Sequence, residues 1–333
     1  MFIEKLKQIV KMKSIKNPEL LRVILKMELI EYVLQYIYTS KYRNLIFKGG
    51  TCLNICYDLP RLSEDIDLDF VNEIDISSLR EDLISYFKTE LAYDRLYASV
   101  TNNNQTITLK FPVLRDLGLA NQSESDLLYI KLDIQKSPFF NITTDLVPRK
   151  NYVIKAYSLP LLFTGKVNAI FTRNKLVGKE NKFVPKGRDY FDLLWFLQKG
   201  IRPDISMLEQ ELNISSNIEF KVRLDQRVIG MFTKYKDEII NDLKPFIENT
   251  DILNQFVESF LPLYLKYSLE IFDYRVPDEV SRRNYLIDEL NSIIKGKKLQ
   301  GKEIMKVLND MDTYKKGSNN LDILGIYNYL ISL

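Results

Sequence analysis

Two glycines interrupt a short apolar segment, and this interruption constrains the fold more than any other feature of the chain. The run Leu45–Phe47 is followed by Lys48, by Gly49 and Gly50, and by Thr51, which opens a segment of helical spacing. A strand that enters a helix through glycines lets a phosphate oxygen approach the backbone, because no Cβ is in the way. The first N–H groups of the helix and the Thr51 hydroxyl then point at the anion. The alternative is an ordinary tight turn.

An acidic strand follows this turn. Apolar and acidic residues alternate in Ile66–Phe70, and Asp65 extends the pattern by one residue. Because residues i and i+2 of a strand project on the same side, we expect Asp65, Asp67 and Asp69 to form a row with about 6–7 Å between neighbours. Such carboxylates repel one another unless a cation lies between them, and Mg²⁺ prefers oxygen ligands and bridges carboxylates to phosphates. The alternative is an exposed strand edge with solubilising acids.

Hydrophobic periodicity distinguishes an N-terminal part that contains short strands from a C-terminal part that is helical. Residues 1–40 have helical spacing, short strand-like runs start near Asn44, and helical spacing returns after Pro160. We therefore predict an α+β fold, with a mixed-sheet domain at 1–157 and an all-helical domain at 158–333. The other predicted elements are a helix at 77–91, a hairpin of 97–100 and 106–111, strands at 127–134 and 152–156, and helices at 160–173, 189–197 and 252–271.

Composition excludes several classes of protein. The chain has no histidine, which removes Ser-His-Asp and Cys-His nucleophiles and histidine zinc sites. The two cysteines, Cys52 and Cys56, are too few for a disulfide framework and fit buried thiols in a reducing cytosol. The charged N-terminus lacks the apolar core of a signal peptide, and no run approaches the ~20 apolar residues of a membrane helix. We expect a cytoplasmic protein that does not contact membranes.

Charge is distributed unevenly, although the net charge is only +3. Residues 61–100 contain ten acidic and four basic residues, whereas 151–200 contain nine basic and three acidic residues. One interpretation is two solvated faces of opposite sign. The other is an acidic metal-binding strand and a basic wall that hold a polyanion. The segment 173–188 is predicted to be a mobile basic loop or an ordinary surface loop. A second group of lysines is predicted to be either an RNA-contact patch or a solvated helix end, and it consists of Lys295–Lys298, Lys302 and Lys306.

The helix predicted at 160–173 brings two cations together. Its apolar stripe consists of Phe163, Val167 and Ile170, whereas Lys166 and Arg173 lie on another face. The two cations are therefore expected to reach one anion together. The alternative is a pair of ordinary surface cations on an amphipathic helix.

Together these motifs resemble a known family. Gly49-Gly50-Thr51 with Arg61-x-Ser63-x-Asp65-x-Asp67 is similar to the motifs of the AbiEii/AbiGii toxin nucleotidyltransferases, relatives of the MenT toxins in the DNA polymerase β-like superfamily. The similarity continues at Lys166 and at the pair Arg188-Asp189, which precedes an apolar helix. It covers residues 40–200.

The resemblance implies a set of site residues. Asp65 and Asp67 are expected to bind metal, and Lys166 to neutralise a triphosphate. Ser63 and Asp189 correspond to positions that matter for activity in the family. The expected nucleotide-binding residues are Lys48, Gly49, Gly50, Thr51, Ser63, Lys166, Arg173 and Arg188.

A third acid is usual in the superfamily. Asp133 is the candidate, since alternation in 129–134 puts Lys131 and Asp133 on one face of a strand. It is expected to bind metal with Asp65 and Asp67, and it competes with Asp189 for the role of general base. The alternative for Asp133 is half of a cross-strand pair with a lysine.

The resemblance also implies a function. The chain is expected to be a nucleotidyltransferase toxin of a toxin–antitoxin or abortive-infection system, a monomer with a cognate antitoxin. It is expected to transfer NMP from an NTP to an RNA 3′ end, that of tRNA, with two Mg²⁺ ions and with Lys166 and Asp189 contributed to the cleft by the helical domain. Two alternatives stay open: transfer to a protein hydroxyl, and a non-catalytic module that binds nucleotide or RNA.

Overall fold

The computed structural model describes residues 2–12, 17–103, 105–173, 176–177, 182–183, 185–214 and 217–272. The chain forms two compact units. Of the described residues, the first unit contains those up to Leu162 and Leu243–Ile252, and the second contains those of Phe163–Asp242 and of 253–272. The predicted lysine patch at 295–306 lies outside the described residues, as do Lys175 and Lys179 of the predicted basic loop.

A seven-stranded mixed sheet forms the first unit. Its strand order is β3-β4-β5-β2-β1-β7-β6, with β1 parallel to β7, β2 parallel to β5, and the other neighbours antiparallel. The central strand β2 thus lies between β1 and β5. The strands are β1 (Ile46–Lys48), β2 (Ile66–Phe70), β3 (Tyr97–Thr101), β4 (Thr106–Pro112), β5 (Leu127–Lys136), β6 (Thr144–Pro148) and β7 (Val153–Tyr157).

Helix starts in this unit carry local signals. Pro18 occupies the first turn of its helix, and the side chain of Asn17 accepts hydrogen bonds from the N–H groups of Glu19 and Leu20. Asp75 caps a later helix in the same way, through the N–H of Ser78. The helices are α1 (Phe2–Met12), α2 (Pro18–Thr39), α3 (Gly49–Tyr57), α4 (Ile76–Thr89) and the start of α5 (Leu159–Thr172).

The sheet has one strongly apolar face. On β4 and β5 every second residue is buried, from Ile107 to Phe111 and from Leu128 to Ile134. Phe2 of α1 packs against Phe87 of α4 and Phe111 of β4, so α1, α4 and the sheet share one core. Because successive side chains of a strand point to opposite faces, the intervening polar residues of β4 and β5 lie on the other face of the sheet.

The segment Leu243–Ile252 contacts the first unit although it comes late in the chain. Its 3₁₀ helix, Lys244–Phe246, packs against α2, and the carbonyl of Phe246 accepts a hydrogen bond of 2.8 Å from the N–H of Leu62. This return is a long-range contact that periodicity does not signal. The predicted domain 158–333 included this segment.

The second unit is mainly helical. Phe163 stacks on Phe196 with 4.5 Å between ring centroids, and Phe232 stacks on Phe260 at 4.1 Å. A fully buried pair, Lys221 with Asp225, lies within the same unit. Its described elements are the rest of α5, the two-residue strands β8 (Leu176–Val177) and β9 (Lys182–Phe183), and the helices α6 (Gly187–Gln198), α7 (Ile205–Leu212), α8 (Asn217–Lys234), α9 (Lys236–Leu243) and α10 (Thr250–Phe272).

The predicted fold class is confirmed, and most predicted elements are present within a few residues. One prediction about the elements was wrong: the segment between Arg173 and Arg188, predicted as a loop, contains the short antiparallel strands β8 and β9. Strand β6 was not predicted. No helix in the described part of the chain has both the length and the apolar character needed to span a bilayer.

Candidate active site

The Gly-Gly turn lies directly against the acidic strand. Gly49 begins α3 with a φ of +79°, a conformation that side chains rarely adopt. A Cβ at Gly49 would overlap Oδ2 of Asp67. The missing side chain therefore makes room for a carboxylate as well as for the turn, and the two halves of the sequence motif form one structure.

The second glycine packs against the next part of the motif. A Cβ at Gly50 would lie 2.7 Å from Nη2 of Arg61 and 3.1 Å from Oγ of Ser63. Both Arg61 and Ser63 are buried. The strand begins at Ile66, so Ser63 precedes it and does not lie on the strand edge, where an earlier start of the strand would have put it.

Thr51 connects α3 to the residue that precedes the acidic strand. Its side chain is fully buried, and its hydroxyl donates a hydrogen bond to the backbone carbonyl of Asp65. The expectation that this hydroxyl points at an anion was therefore wrong, because the hydroxyl donates its hydrogen to the backbone of Asp65. Asp65 itself comes one residue before β2.

A polar row crosses the sheet at the position of Asp67. Asp67 lies opposite Lys48 on β1 and beside Asp133 on β5, and Asp133 lies opposite Thr106 on β4. The Thr106 hydroxyl donates a hydrogen bond of 2.6 Å to Oδ1 of Asp133. Register partners share a face, so Asp67 and Asp133 are neighbouring carboxylates about 5 Å apart along the sheet. The alternative of a cross-strand pair between Asp133 and a lysine was wrong.

Asp69 has a different role from the one its place in the acidic row predicted. It is fully buried, its Oδ1 lies 2.5 Å from Nζ of Lys48, and its Oδ2 accepts a hydrogen bond of 2.8 Å from the Tyr157 hydroxyl. Burial raises the pKa of the Asp69 carboxyl, and Lys48 opposes that rise. Asp69 therefore ties β1 and β7 to β2, and it holds the Lys48 ammonium that was expected to bind nucleotide.

Asp65 is the most perturbed acid of this cluster. Burial, followed by repulsion from Glu64 and Asp67, raises the pKa of the Asp65 carboxyl to about 6, against weaker opposing effects of Lys26 and Lys131. A desolvated carboxylate beside two others is the environment in which a bound cation relieves the most repulsion.

The raised pKa predicts a pH-dependent effect on stability. In metal-free buffer, Asp65→Asn should raise the free energy of unfolding at pH 7.5 by up to about 3 kcal/mol, because a shift of one pKa unit corresponds to about 1.4 kcal/mol. A carboxyl whose pKa is raised by folding stabilises the fold below its unfolded pKa and loses that contribution as the pH rises through about 6. The difference in free energy of unfolding between Asp65→Asn and the unmodified protein should therefore shrink steadily from pH 6 to pH 4. Thermal melts of both proteins across this range measure it.

The control for this prediction is Asp94→Asn, at an exposed acid outside the cluster. Its melting curves should follow those of the unmodified protein at every pH. Equal stability of Asp65→Asn and the unmodified protein at pH 7.5 would show that the Asp65 carboxylate is not destabilised by its surroundings.

The second unit has its own cluster of predicted residues. Nζ of Lys166 lies 3.3 Å from Oδ1 of Asp189 and 2.7 Å from Oδ2 of Asp192, and Nη1 of Arg173 lies 2.7 Å from Oδ2 of Asp189. Lys166 and Arg173 thus contact one carboxylate, that of Asp189, and their joint binding of a nucleotide phosphate stays a prediction. Both acids are buried. Asp192 received no role from the sequence, although it lies one helical turn after Asp189.

Arg188 is held within the same unit. Its N–H donates to Oδ2 of Asp242 at 3.1 Å, and its Nε lies 3.4 Å from the same oxygen. Burial, with the neighbouring charges of Arg173 and Arg188, lowers the pKa of Lys186. The start of α6 is thus a basic region whose described cations are largely balanced by acids of the same unit.

The first unit offers oxygen ligands for a hard cation, but not a complete cage. Among the described residues, no three acidic or cysteine side chains are grouped closely enough to hold a metal by themselves. Mg²⁺ commonly uses one or two carboxylates and takes its other ligands from water and substrate phosphates. Asp67 and Asp133, which strand register places side by side, fit a site of that kind, and the binding of metal by Asp65 stays a prediction.

The chain resembles solved structures of other proteins at low sequence identity. No curated protein matches the chain significantly. JHP933 from Helicobacter pylori is 13% identical, with 76% of this chain and 94% of that chain covered at a TM-score of 0.43. The nucleotidyltransferase toxin MenT4 from Mycobacterium tuberculosis is 11% identical, with 85% and 96% covered at a TM-score of 0.45.

The family comparison covers most of the chain. The model of the nucleotidyl transferase AbiEii toxin of type IV toxin–antitoxin systems matches residues 36–252, which include every site residue discussed above. The acidic strand, the glycine turn against it and this match agree with the motifs found in the sequence. The chain belongs to the AbiEii family of nucleotidyltransferase toxins of type IV toxin–antitoxin systems.

Proposed function

We propose that this nucleotidyltransferase transfers a nucleoside monophosphate from an NTP to the 3′ end of an RNA, with tRNA as the acceptor and Mg²⁺ as the metal. The observation that carries the proposal is the contact of Asp67 with the Gly49 backbone, beside Asp133 on the next strand. This arrangement puts two carboxylates beside the N-terminus of α3, whose first backbone N–H groups favour an anion.

The reaction is an in-line displacement. The acceptor 3′ oxygen forms a bond to the α-phosphorus, the bond from that phosphorus to the bridging oxygen breaks, and pyrophosphate leaves. We assign the acceptor proton to Asp133. Thr106 orients the Asp133 carboxylate, whereas Asp189 has one oxygen on Lys166 and the other on Arg173. Both oxygens of Asp189 are thus engaged within its own unit, and we therefore assign the proton to Asp133.

Asp65 and Asp67 would hold Mg²⁺, with Asp133 as a third ligand. When bound there, Mg²⁺ would supply neutralisation of the charge that develops on the phosphates and on the attacking oxygen. The two-ion form of this mechanism is part of the proposal. The contribution of the chain itself is to hold these acids in place. Gly49 leaves room for the Asp67 carboxylate, and Thr51 is hydrogen-bonded to the backbone of Asp65. Asp69 connects β1 and β7 to β2.

The roles of Lys166, Arg173, Arg188 and Ser63 stay predictions from the family resemblance. We propose that Lys166 and Arg173 also contact triphosphate oxygens, since lysine and arginine form charge-assisted hydrogen bonds to phosphate as well as to carboxylate. We also propose that the protein acts as a monomer in the cytoplasm, where NTP and RNA are available, and that a cognate antitoxin controls it.

The direct test is transfer of label. The purified protein is incubated with total RNA and with each α-labelled NTP in turn, and RNA and protein are separated on denaturing gels. We expect label in tRNA-sized RNA, abolished by EDTA and restored by Mg²⁺. Label in protein alone would favour transfer to a protein hydroxyl. Tight NTP binding without any labelled product would favour a non-catalytic module.

A further inference from the structure

The face of the sheet that carries Asp67 and Asp133 continues toward the β3 edge as a polar, accessible surface. On β3, β4 and β5 the residues of this face alternate with the buried core residues, and strand register places them in two rows. The row next to the acids is Ser99, Thr108 and Lys131, and the outer row is Tyr97, Lys110 and Tyr129. We call these six residues the sheet platform.

The outer row consists of two aromatic rings with a cation between them. Tyr97 is 47% exposed and Tyr129 is 38% exposed. Nζ of Lys110 lies 5.7 Å from the centroid of the Tyr97 ring. The rings are two strands apart, about 10 Å, and both stand on the side opposite the apolar core.

Exposed aromatic rings and lysines on an open sheet are the chemistry that binds single-stranded nucleic acid. Bases stack on the rings without regard to sequence, and lysines contact the phosphates. An apolar protein partner fits this surface less well, because the inner row carries two hydroxyls and an exposed lysine. Charge also favours a polyanion here, since Lys110 and Lys131 are the charged residues of the platform.

We propose that the sheet platform binds the single-stranded 3′ end of the RNA acceptor, with bases stacked on Tyr97 and Tyr129 and a phosphate on Lys110. This inference rests on the proposed function for its occupant. Tyr129 lies four residues before Asp133 on β5, about 13 Å along the strand, so one or two nucleotides join the stacked bases to the reacting end. Lys131 lies between them on the same face.

The test measures RNA affinity separately from catalysis. The probe is a fluorescein-labelled RNA hairpin with a 3′ overhang of about eight nucleotides, titrated without NTP or Mg²⁺, next to the same hairpin with a blunt end. We expect Tyr97→Ala and Tyr129→Ala each to raise the Kd for the overhang RNA about fivefold, and the double variant about thirtyfold. The Kd for the blunt hairpin should stay within twofold.

Two controls separate stacking from other effects. Phe140→Ala removes an aromatic ring that is 61% exposed and lies outside the platform, so it should leave both Kd values unchanged. Lys110→Ala should lower the slope of log Kd against log salt by about 0.7, the value for one phosphate contact on a single strand. Circular dichroism melts establish that each variant is folded.

The outcomes distinguish this inference from the proposed function. An unchanged Kd for the overhang RNA in the double variant, or no preference for overhang over blunt RNA in the unmodified protein, overturns the inference and leaves this face to a protein partner. If the unmodified protein modifies no RNA but the double variant still loses overhang binding, the platform stands and the assigned reaction falls.

Discussion

Replacing Asp67 by asparagine is expected to lower the rate of nucleotidyl transfer by about a thousandfold or more, while the protein stays folded. Asparagine keeps the shape of the side chain and removes its charge. The carboxylate lies against the Gly49 backbone and beside Asp133. Asp69, the next acid on the same side of β2, cannot replace it there, because Asp69 already contacts Lys48 and Tyr157.

The measurement is the initial rate of label transfer at saturating NTP and Mg²⁺, with a thermal melt of the same preparation. Loss of a neighbouring negative charge also lowers the repulsion on Asp65, so the melt should not move to lower temperature. Asp145→Asn is the matched control, since this acid lies on the edge strand β6 of the same sheet. Activity within tenfold of the unmodified rate would remove Asp67 from the reaction.

Elements with a clean local pattern could be predicted, and those without one could not. Strand β2 was predicted with its observed bounds, because apolar and acidic residues alternate throughout it. Strand β6 has no such alternation and ends in Pro148, so nothing in its five residues distinguishes it from a loop. Its position is fixed by pairing with β7, which is information from a different part of the chain.

The same distinction holds for the candidate site. The residue types around Gly49 and Asp67 indicated a phosphate and metal site, but they did not indicate which acid would serve it. Asp65, Asp67 and Asp69 are equivalent in the sequence pattern. Their difference comes from distant partners: Tyr157, 88 positions away, binds Asp69, whereas β5 brings Asp133 to Asp67. Register and long-range contacts decide the roles, and neither has a local signal.

A substitution at Gly49 tests whether the glycine turn and the acidic strand act as one structure. Gly49→Ala is expected to lower the transfer rate at least about a hundredfold, because the new methyl group would overlap Oδ2 of Asp67 and displace the carboxylate. It also places a side chain at a φ of +79°, which costs roughly 1–2 kcal/mol of stability. Both the transfer rate and the melting temperature are measured.

Gly118→Ala separates the effect of backbone strain from the effect of the overlap with Asp67. Gly118 has a φ of +70°, close to that of Gly49, but a Cβ there would meet nothing within 4 Å. Its substitution therefore brings the backbone strain without the overlap, and it should lower stability by roughly 1–2 kcal/mol while leaving the transfer rate intact. If the two variants lose activity equally, or if Gly49→Ala keeps full activity, the Asp67 carboxylate does not need the space that the glycine leaves. If only Gly49→Ala loses activity, the absence of one methyl group is what lets the Asp67 carboxylate lie against the start of α3, and this explains why the glycine turn and the acidic strand occur together.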